Sequence, residues 1–248
     1  MPDKNADKQA QLNAIIEDSA GLEGRDLMAN VIKNNPGRVA ILSSFGAESA
    51  ALLHMASEID PGIPVLFLDT EKLFPETLAY RAKLAHELGL TDVRDIRPDA
   101  EDLTRVDPDG ILNSFDKDLC CHFRKTIPMQ KALEQFDVVI SGRKRFHGAT
   151  RSQLQFISEQ DGKIKVEPLA GFSPLDLQHY AHQHALPSHP LRLAGYRSIG
   201  CVPCTVVGGT DDDPRAGRWA DTEKTECGIH FSVNGQVIRT ETRQAVGV

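Results

Sequence analysis

Basic residues are not in excess in this 248-residue chain: 28 Lys and Arg stand against 35 Asp and Glu, a formal charge of −7. That balance argues against a general nucleic-acid binder, which holds the phosphate backbone with surplus cations. A small anionic ligand, needing only a local basic cluster, stays open. No apolar run approaches membrane-spanning length. The first residues, Met1-Pro2-Asp3-Lys4-Asn5-Ala6-Asp7, hold no apolar core, so no signal peptide is expected. Low-complexity segments are absent, and so are a Walker A ending and a G-x-G-x-x-G fingerprint. A cytoplasmic protein without membrane or nucleic-acid partners is the expectation. In that compartment its five cysteines suit metal binding or catalysis better than disulfides.

Hydrophobic periodicity supplies the architecture. Residues 9–33 have a helical pattern with Leu12, Ile15, Ile16 and Ser19 on one face, continuing after Gly24 and stopping at Asn34-Asn35-Pro36-Gly37. Short buried strands are predicted at 39–42, 65–68, 93–96 and 138–140, with helices over 50–59 and 75–88 between them. Such alternation implies a parallel sheet flanked by helices, with ligands beyond the carboxyl ends of its strands. The turn Ser43–Ser49, Asp69 and the segment Ser141–Arg145 all fall there. A hairpin is predicted around Asp161-Gly162, and a helix after Ser173-Pro174. Residues 205–222 form an irregular, mobile stretch. One α/β domain over 1–222 and a mobile tail over 223–248 are expected.

Ser43-Ser44-Phe45-Gly46-Ala47-Glu48-Ser49 joins a strand to a helix, where backbone N–H groups and the helix dipole favour an anion. A plain βα turn would look the same. The cysteines comprise an adjacent pair, Cys120-Cys121, a C-x-x-C at Cys201 and Cys204, and a lone Cys227. Two pairs make one complete four-thiolate site. Inert buried thiols and structural zinc are alternatives, but an adjacent pair is an awkward zinc ligand set. A [4Fe–4S] cluster on Cys120, Cys121, Cys201 and Cys204 fits better. If the segment after the pair is helical, Lys125 stacks on the face of Cys121 and offsets the excess negative charge.

The loop resembles the modified phosphate loop of the adenine-nucleotide α-hydrolase-like (Rossmann-like) fold. Phe67-Leu68-Asp69-Thr70 with Leu73-Phe74-Pro75-Glu76-Thr77 resembles the second signature of the sulfonucleotide reductases in that group. The order Cys-Cys-x-x-Arg-Lys, Cys-x-x-Cys, Lys-x-Glu-Cys-Gly-Ile-His is similar to assimilatory adenylyl-sulfate (APS) reductases, from about Val39 to His230. The resemblance implies thioredoxin-dependent reduction of APS to sulfite and AMP. Cys227 would attack sulfur and form an S-sulfocysteine, which a thioredoxin or glutaredoxin-like reductant then resolves. It also implies substrate contacts from Ser43, Ser44, Phe45, Gly46, Ser49, Leu68, Asp69 and Gly142. Lys125, Arg151, Arg215, Arg218 and His230 would clamp the anion. The cluster would polarise substrate rather than shuttle electrons. A homo-oligomer is compatible with it.

Relatives acting on 3′-phosphoadenylyl sulfate (PAPS) usually lack the four cluster cysteines, so APS is favoured, with PAPS or dual specificity as the alternative. An ATP pyrophosphatase for tRNA thiolation ranks lower, because Ser44-Phe45-Gly46-Ala47-Glu48-Ser49 is not its Ser-Gly-Gly-x-Asp-Ser loop. A zinc-binding interaction module leaves Cys227 idle. This chain also reads Arg143-Lys144-Arg145-Phe146-His147 where relatives often have Arg-Arg-x-Gln-Ser, and that basic run is equally able to be a solvated face. His179, His182, His184 and His189 are taken as a solvated helix face. Trp219 is either a lid anchor or core.

Overall fold

The computed structural model describes residues 4–148, 151–210 and 213–219. The chain opens with helices α1 (Lys4–Asp18) and α2 (Gly24–Asn34), then runs β1 (Val39–Leu42), α3 (Ser49–Ile59), β2 (Val65–Leu68), α4 (Pro75–Glu87) and β3 (Val93–Ile96). Short helices α5 (Ala100–Val106), α6 (Leu112–Phe115) and α7 (Lys117–Cys121) follow. A π-helical segment, His122–Thr126, leads into α8 (Ile127–Leu133). Next come β4 (Val138–Ser141), the hairpin β5 (Ile157–Gln160) and β6 (Lys163–Val166), then α9 (Pro174–Gln183) and α10 (Pro190–Leu193). Among the described residues no helix is long and apolar enough to cross a membrane.

The strands form one six-stranded sheet in the order β3-β2-β1-β4-β6-β5, parallel except for β5. Its strands are only four residues long; β1 and β2 are apolar throughout and β4 up to Ser141, because both faces are covered, whereas β6 alternates Lys163-Ile164-Lys165-Val166. Alternate residues serve opposite cores. Val39, Ile41, Val65, Phe67, Val138 and Ile140 pack beneath α2, α3, α4 and α9. Ala40, Leu66, Leu68 and Val139 meet Met129 and Leu133 of α8, together with Phe136. Both layers predicted from the sequence are present.

The chain leaves β1 outward through β2 and β3, then returns to β4 on β1's other side. The loops after β1 and β4 therefore diverge, opening the crevice in which such sheets bind ligands.

Three expectations change. The periodic stretch 9–33 is two helices, because the chain breaks at residues 19–23 between α1 and α2, and Ile16 is exposed rather than core. The face of the histidines is not uniformly solvated: His189 is fully buried, with Nε2 against Thr77 Oγ1 at 3.1 Å and Nδ1 accepting from the Leu191 N–H at 3.2 Å. It caps α10, and burial holds its imidazole down at about 4. The basic run is not a solvated face either. Arg143 pairs with buried Glu167, Lys144 with Glu48, and Arg145 stacks on Phe156 at 4.8 Å.

Candidate active site

The crevice contains a cavity of about 240 Å³. Ser43, Ser44, Gly46 and Ser49 form one wall, Leu68 and Gly142 stand at strand ends, and Lys125, Arg151, Arg215 and Arg218 supply cations. These ten residues of the expected substrate site share one cavity.

Two others do not line it. Phe45 has a φ of 47°, a left-handed conformation costly for a residue with a Cβ. Its ring is fully buried and meets Phe67 edge-on at 5.4 Å, so it anchors the loop from below. Asp69 accepts from the Glu71 N–H at 3.0 Å and from Arg97 Nε at 3.0 Å, which fixes the exit of β2. Cys227 and His230 lie outside the described residues, as does the expected tail.

The loop itself is held by hydrogen bonds. Ser43 N–H donates to Leu66 O at 3.1 Å, Phe45 N–H to Ser43 Oγ at 3.2 Å, and Ser49 Oγ to Gly46 O at 2.8 Å. The turn thus enters α3 with its shape fixed.

At the other end Cys201 lines the cavity, beside Thr70 Oγ1 at 3.2 Å. Lys125 hydrogen-bonds the same sulfur. Burial pushes the Cys201 thiol up, but Lys125, Thr70 and Arg218 outweigh it, and its pKa falls below the ordinary value. Burial and the Cys121 charge drive Cys120 up to about 11, and burial with Cys201 and Cys121 raises Cys204. All four cysteines are free and buried, and their charges act on one another. Among the described residues no group of three or more His, Cys, Asp or Glu side chains is arranged to hold a metal ion. In kind and number the thiols suit an iron–sulfur group.

The α-helical register expected between Cys121 and Lys125 is broken by the π-helical segment, a feature that recurs at functional sites. Arg124 holds this segment in place. Its guanidinium donates to Asp107 Oδ2 from Nη2 at 2.7 Å and to Thr70 O from Nη1 at 3.0 Å, turning Lys125 toward the cavity.

Residues 205–219 are irregular where described, yet tied down. Val206 N–H donates to Gly217 O at 2.9 Å, and Trp219 N–H to Cys204 O at 3.1 Å. Trp219 is core, with Arg218 stacked on it at 4.3 Å and Arg215 at 5.5 Å. A Cβ on Gly200 would overlap the Arg218 guanidinium, so glycine is required for that close approach.

Glu48, Thr70, Lys144, His147 and Arg197 also line the cavity, and none of them is among the substrate contacts expected from the sequence. Glu48 and Lys144 sat in plain view, in the β1 loop and at the end of β4. Their pairing across 96 residues left no local signal.

Residues 38–207 match the family model described as the phosphoadenosine phosphosulfate reductase domain. A protein named adenosine 5′-phosphosulfate reductase from Mesorhizobium japonicum (strain LMG 29417 / CECT 9101 / MAFF 303099) is 46% identical over 78% of this chain and 76% of its own. One of the same name from Chelativorans sp. (strain BNC1) is 44% identical over 79% and 80%. A phosphoadenylyl-sulfate (PAPS) reductase from Candida auris, solved as a phosphate complex, superposes with a TM-score of 0.66 over 80% of this chain and 97% of that one. Candida glabrata FMN adenylyltransferase, in complex with FMN and an ATP analogue, gives 0.54 over 83% and 68%. At 23% and 13% identity these two structures speak for the fold alone. With a matching model over most of its length and relatives this similar, the chain belongs to the phosphoadenosine phosphosulfate reductase domain family.

Proposed function

We propose that the chain reduces adenylyl sulfate to sulfite and AMP. The observation that carries this reading is the single cavity that joins the β1 loop to Lys125 and Cys201 and is lined by arginines. A nucleotide bearing a sulfate has two anionic parts, and the cavity offers helix-entry backbone for one and fixed cations for the other. The names of the most similar relatives point to the same substrate.

In the proposed reaction the Cys227 thiolate attacks the sulfur of adenylyl sulfate. The S–O bond to AMP breaks, AMP leaves with the electron pair, and Cys227 carries a sulfonate on its sulfur. A thiolate of a thioredoxin-like dithiol then attacks the Cys227 sulfur and expels sulfite, and its second thiol resolves the mixed disulfide. The dithiol loses two electrons and the substrate sulfur gains them. Lys125, Arg151, Arg215, Arg218 and His230 serve as the anion clamp, and Ser43, Ser44, Gly46, Ser49, Leu68 and Gly142 line the nucleotide end. Phe45 and Asp69 support that end from behind.

Cys120, Cys121, Cys201 and Cys204 would hold a [4Fe–4S] cluster, which when bound would supply a polarising charge to the site. A reducing cytoplasm suits these free thiols.

The test follows sulfite release from APS and from PAPS with reduced thioredoxin, alongside iron content. APS turnover with about four irons per chain is expected from the cluster stoichiometry. Preference for PAPS would replace the substrate assignment, and an iron-free active protein would remove the cluster. Cys227→Ser should retain nucleotide binding and lose sulfite release. Continued turnover in that variant would sink the mechanism.

A further inference from the structure

Glu48, Lys144 and His147 close into a cluster on the cavity wall. Glu48 Oε2 accepts from Lys144 Nζ at 2.9 Å and lies 2.8 Å from His147 Nε2. On the other edge of the imidazole, Nδ1 faces Arg151 Nη1 at 3.4 Å. A guanidinium has donors only, so Nδ1 must present its lone pair to Arg151. The proton then sits on Nε2 and is donated to Glu48. These contacts select one neutral tautomer.

We infer that His147 is a positioning residue, which transmits the fixed carboxylate of Glu48 through a neutral imidazole to hold the Arg151 guanidinium at the cavity. The inference rests on the proposed role of Arg151 in clamping the substrate anion. Buried Lys144 keeps Glu48 ionised: burial pushes that carboxyl up, but Lys144 and His147 overcome it and hold it at about 2. His147 thus faces one anion, Glu48, and two cations, Lys144 and Arg151. A second proton would put an N–H against the Arg151 donors and a third positive charge into the cluster. Burial already pulls the imidazole below its ordinary value, so this occurs only under acid conditions.

The experiment is calorimetric titration of the full-length protein with adenylyl sulfate between pH 5.5 and 8. Wild type should hold its affinity through about 6.5, the ordinary imidazole value, and bind more weakly only further into the acid range, because burial lowers the His147 imidazole. His147→Gln keeps a donor for Glu48 and loses the acceptor for Arg151. It should bind about fivefold more weakly at pH 7.5, the scale of one charge-assisted hydrogen bond at long range, and lose the acid limb. His147→Asn, whose Oδ1 can take the place of Nδ1, should bind within about twofold of wild type at pH 7.5, since the acceptor is retained, and also lose the limb. Arg151→Ala separates the two layers of the argument. If it binds as tightly as wild type, the clamp reading of Arg151 fails and takes the inference with it. If it binds weakly while His147→Gln keeps wild-type affinity and its acid limb, the clamp stands and the positioning role is refuted.

Discussion

Replacing Asp107 by Ala removes the counter-ion on which the lysine-bearing π-helical segment leans. The Asp107 side chain is 1% exposed and that of Arg124 6%, with Arg124 Nη2 and Nε at 2.7 and 3.2 Å from one carboxylate oxygen. Burial pushes the Asp107 carboxyl up, but Arg124 and the Leu112 N–H hold its pKa below the usual range, so it is ionised at neutral pH. Removing one partner of such a pair costs about 3–5 kcal/mol, mostly because the other charge is stranded. Arg124 retains Thr70 O at 3.0 Å and half-exposed Glu71 at 3.4 Å, which places the expected loss near the lower end, about 3 kcal/mol. Urea unfolding reads it directly. With a slope of about 2–3 kcal/mol per molar, the midpoint should fall by roughly 1 M. Pairing Asp107→Leu with Arg124→Met removes both charges and should recover more than half of the loss. A single-variant cost below about 1 kcal/mol would refute the claim that this pair supports the segment, since that is the worth of an exposed ion pair.

Three other outcomes are expected. Gly200→Ala should displace the Arg218 guanidinium from Trp219 and from the Ile199 and Cys204 carbonyls, weakening adenylyl sulfate binding roughly tenfold by calorimetry, with the fold kept by circular dichroism. His189 is buried neutral, so the unfolded chain takes up its proton first. Stability should be full above pH about 6.5 and fall by about 3 kcal/mol on acidification to about 4, a slope that His189→Asn flattens in chemical-denaturation series. Lys125→Met should weaken binding of adenylyl sulfate about tenfold or more while AMP binding changes little, because the lost charge faces Cys201 rather than the β1 loop. Equal losses for the two ligands would move Lys125 to the nucleotide end.

Strands β1, β2 and β4 were legible because covered runs such as Val65–Leu68 are almost wholly apolar, and glycine and proline stand close before β1 and β2. Strand β6, with Lys163 and Lys165, was legible only through its Asp161-Gly162 turn. That the β1 loop lines the cavity was legible from its small residues at a strand end, although the inward turn of Phe45 was not. A left-handed residue in a loop carries no pattern, and its burial depends on Phe67 of the next strand. The cysteine count announced a site, but not that Cys201 faces the cavity while Asp69 is turned away. What lay beyond reach depends on distant partners. His189 is buried because Thr77 receives it from 112 positions away, and Lys144 is buried because Glu48 pairs with it across 96. The π-helical segment was hidden for another reason: one extra residue per turn erases the 3.6 period on which a helix is recognised.

The hydrogen bond between Thr70 and Cys201 spans 131 residues, and the Val202 N–H reaches back to Lys72 O at 2.8 Å. These contacts bear on the order in which the molecule assembles. Strands β1 to β4 and their helices carry their own apolar cores, whereas the described residues of 195–210 and 213–219 dock on them through the small cluster of Cys201, Cys204 and Trp219 against Leu73 and a few bridges. A part held this way closes a long loop for modest reward, so it should order last and open first. In native-state hydrogen exchange the amides of Val202, Val206 and Trp219 should exchange as one group, well before those of β1 and β4. The cavity would then open and close as a unit on a sheet that stays folded.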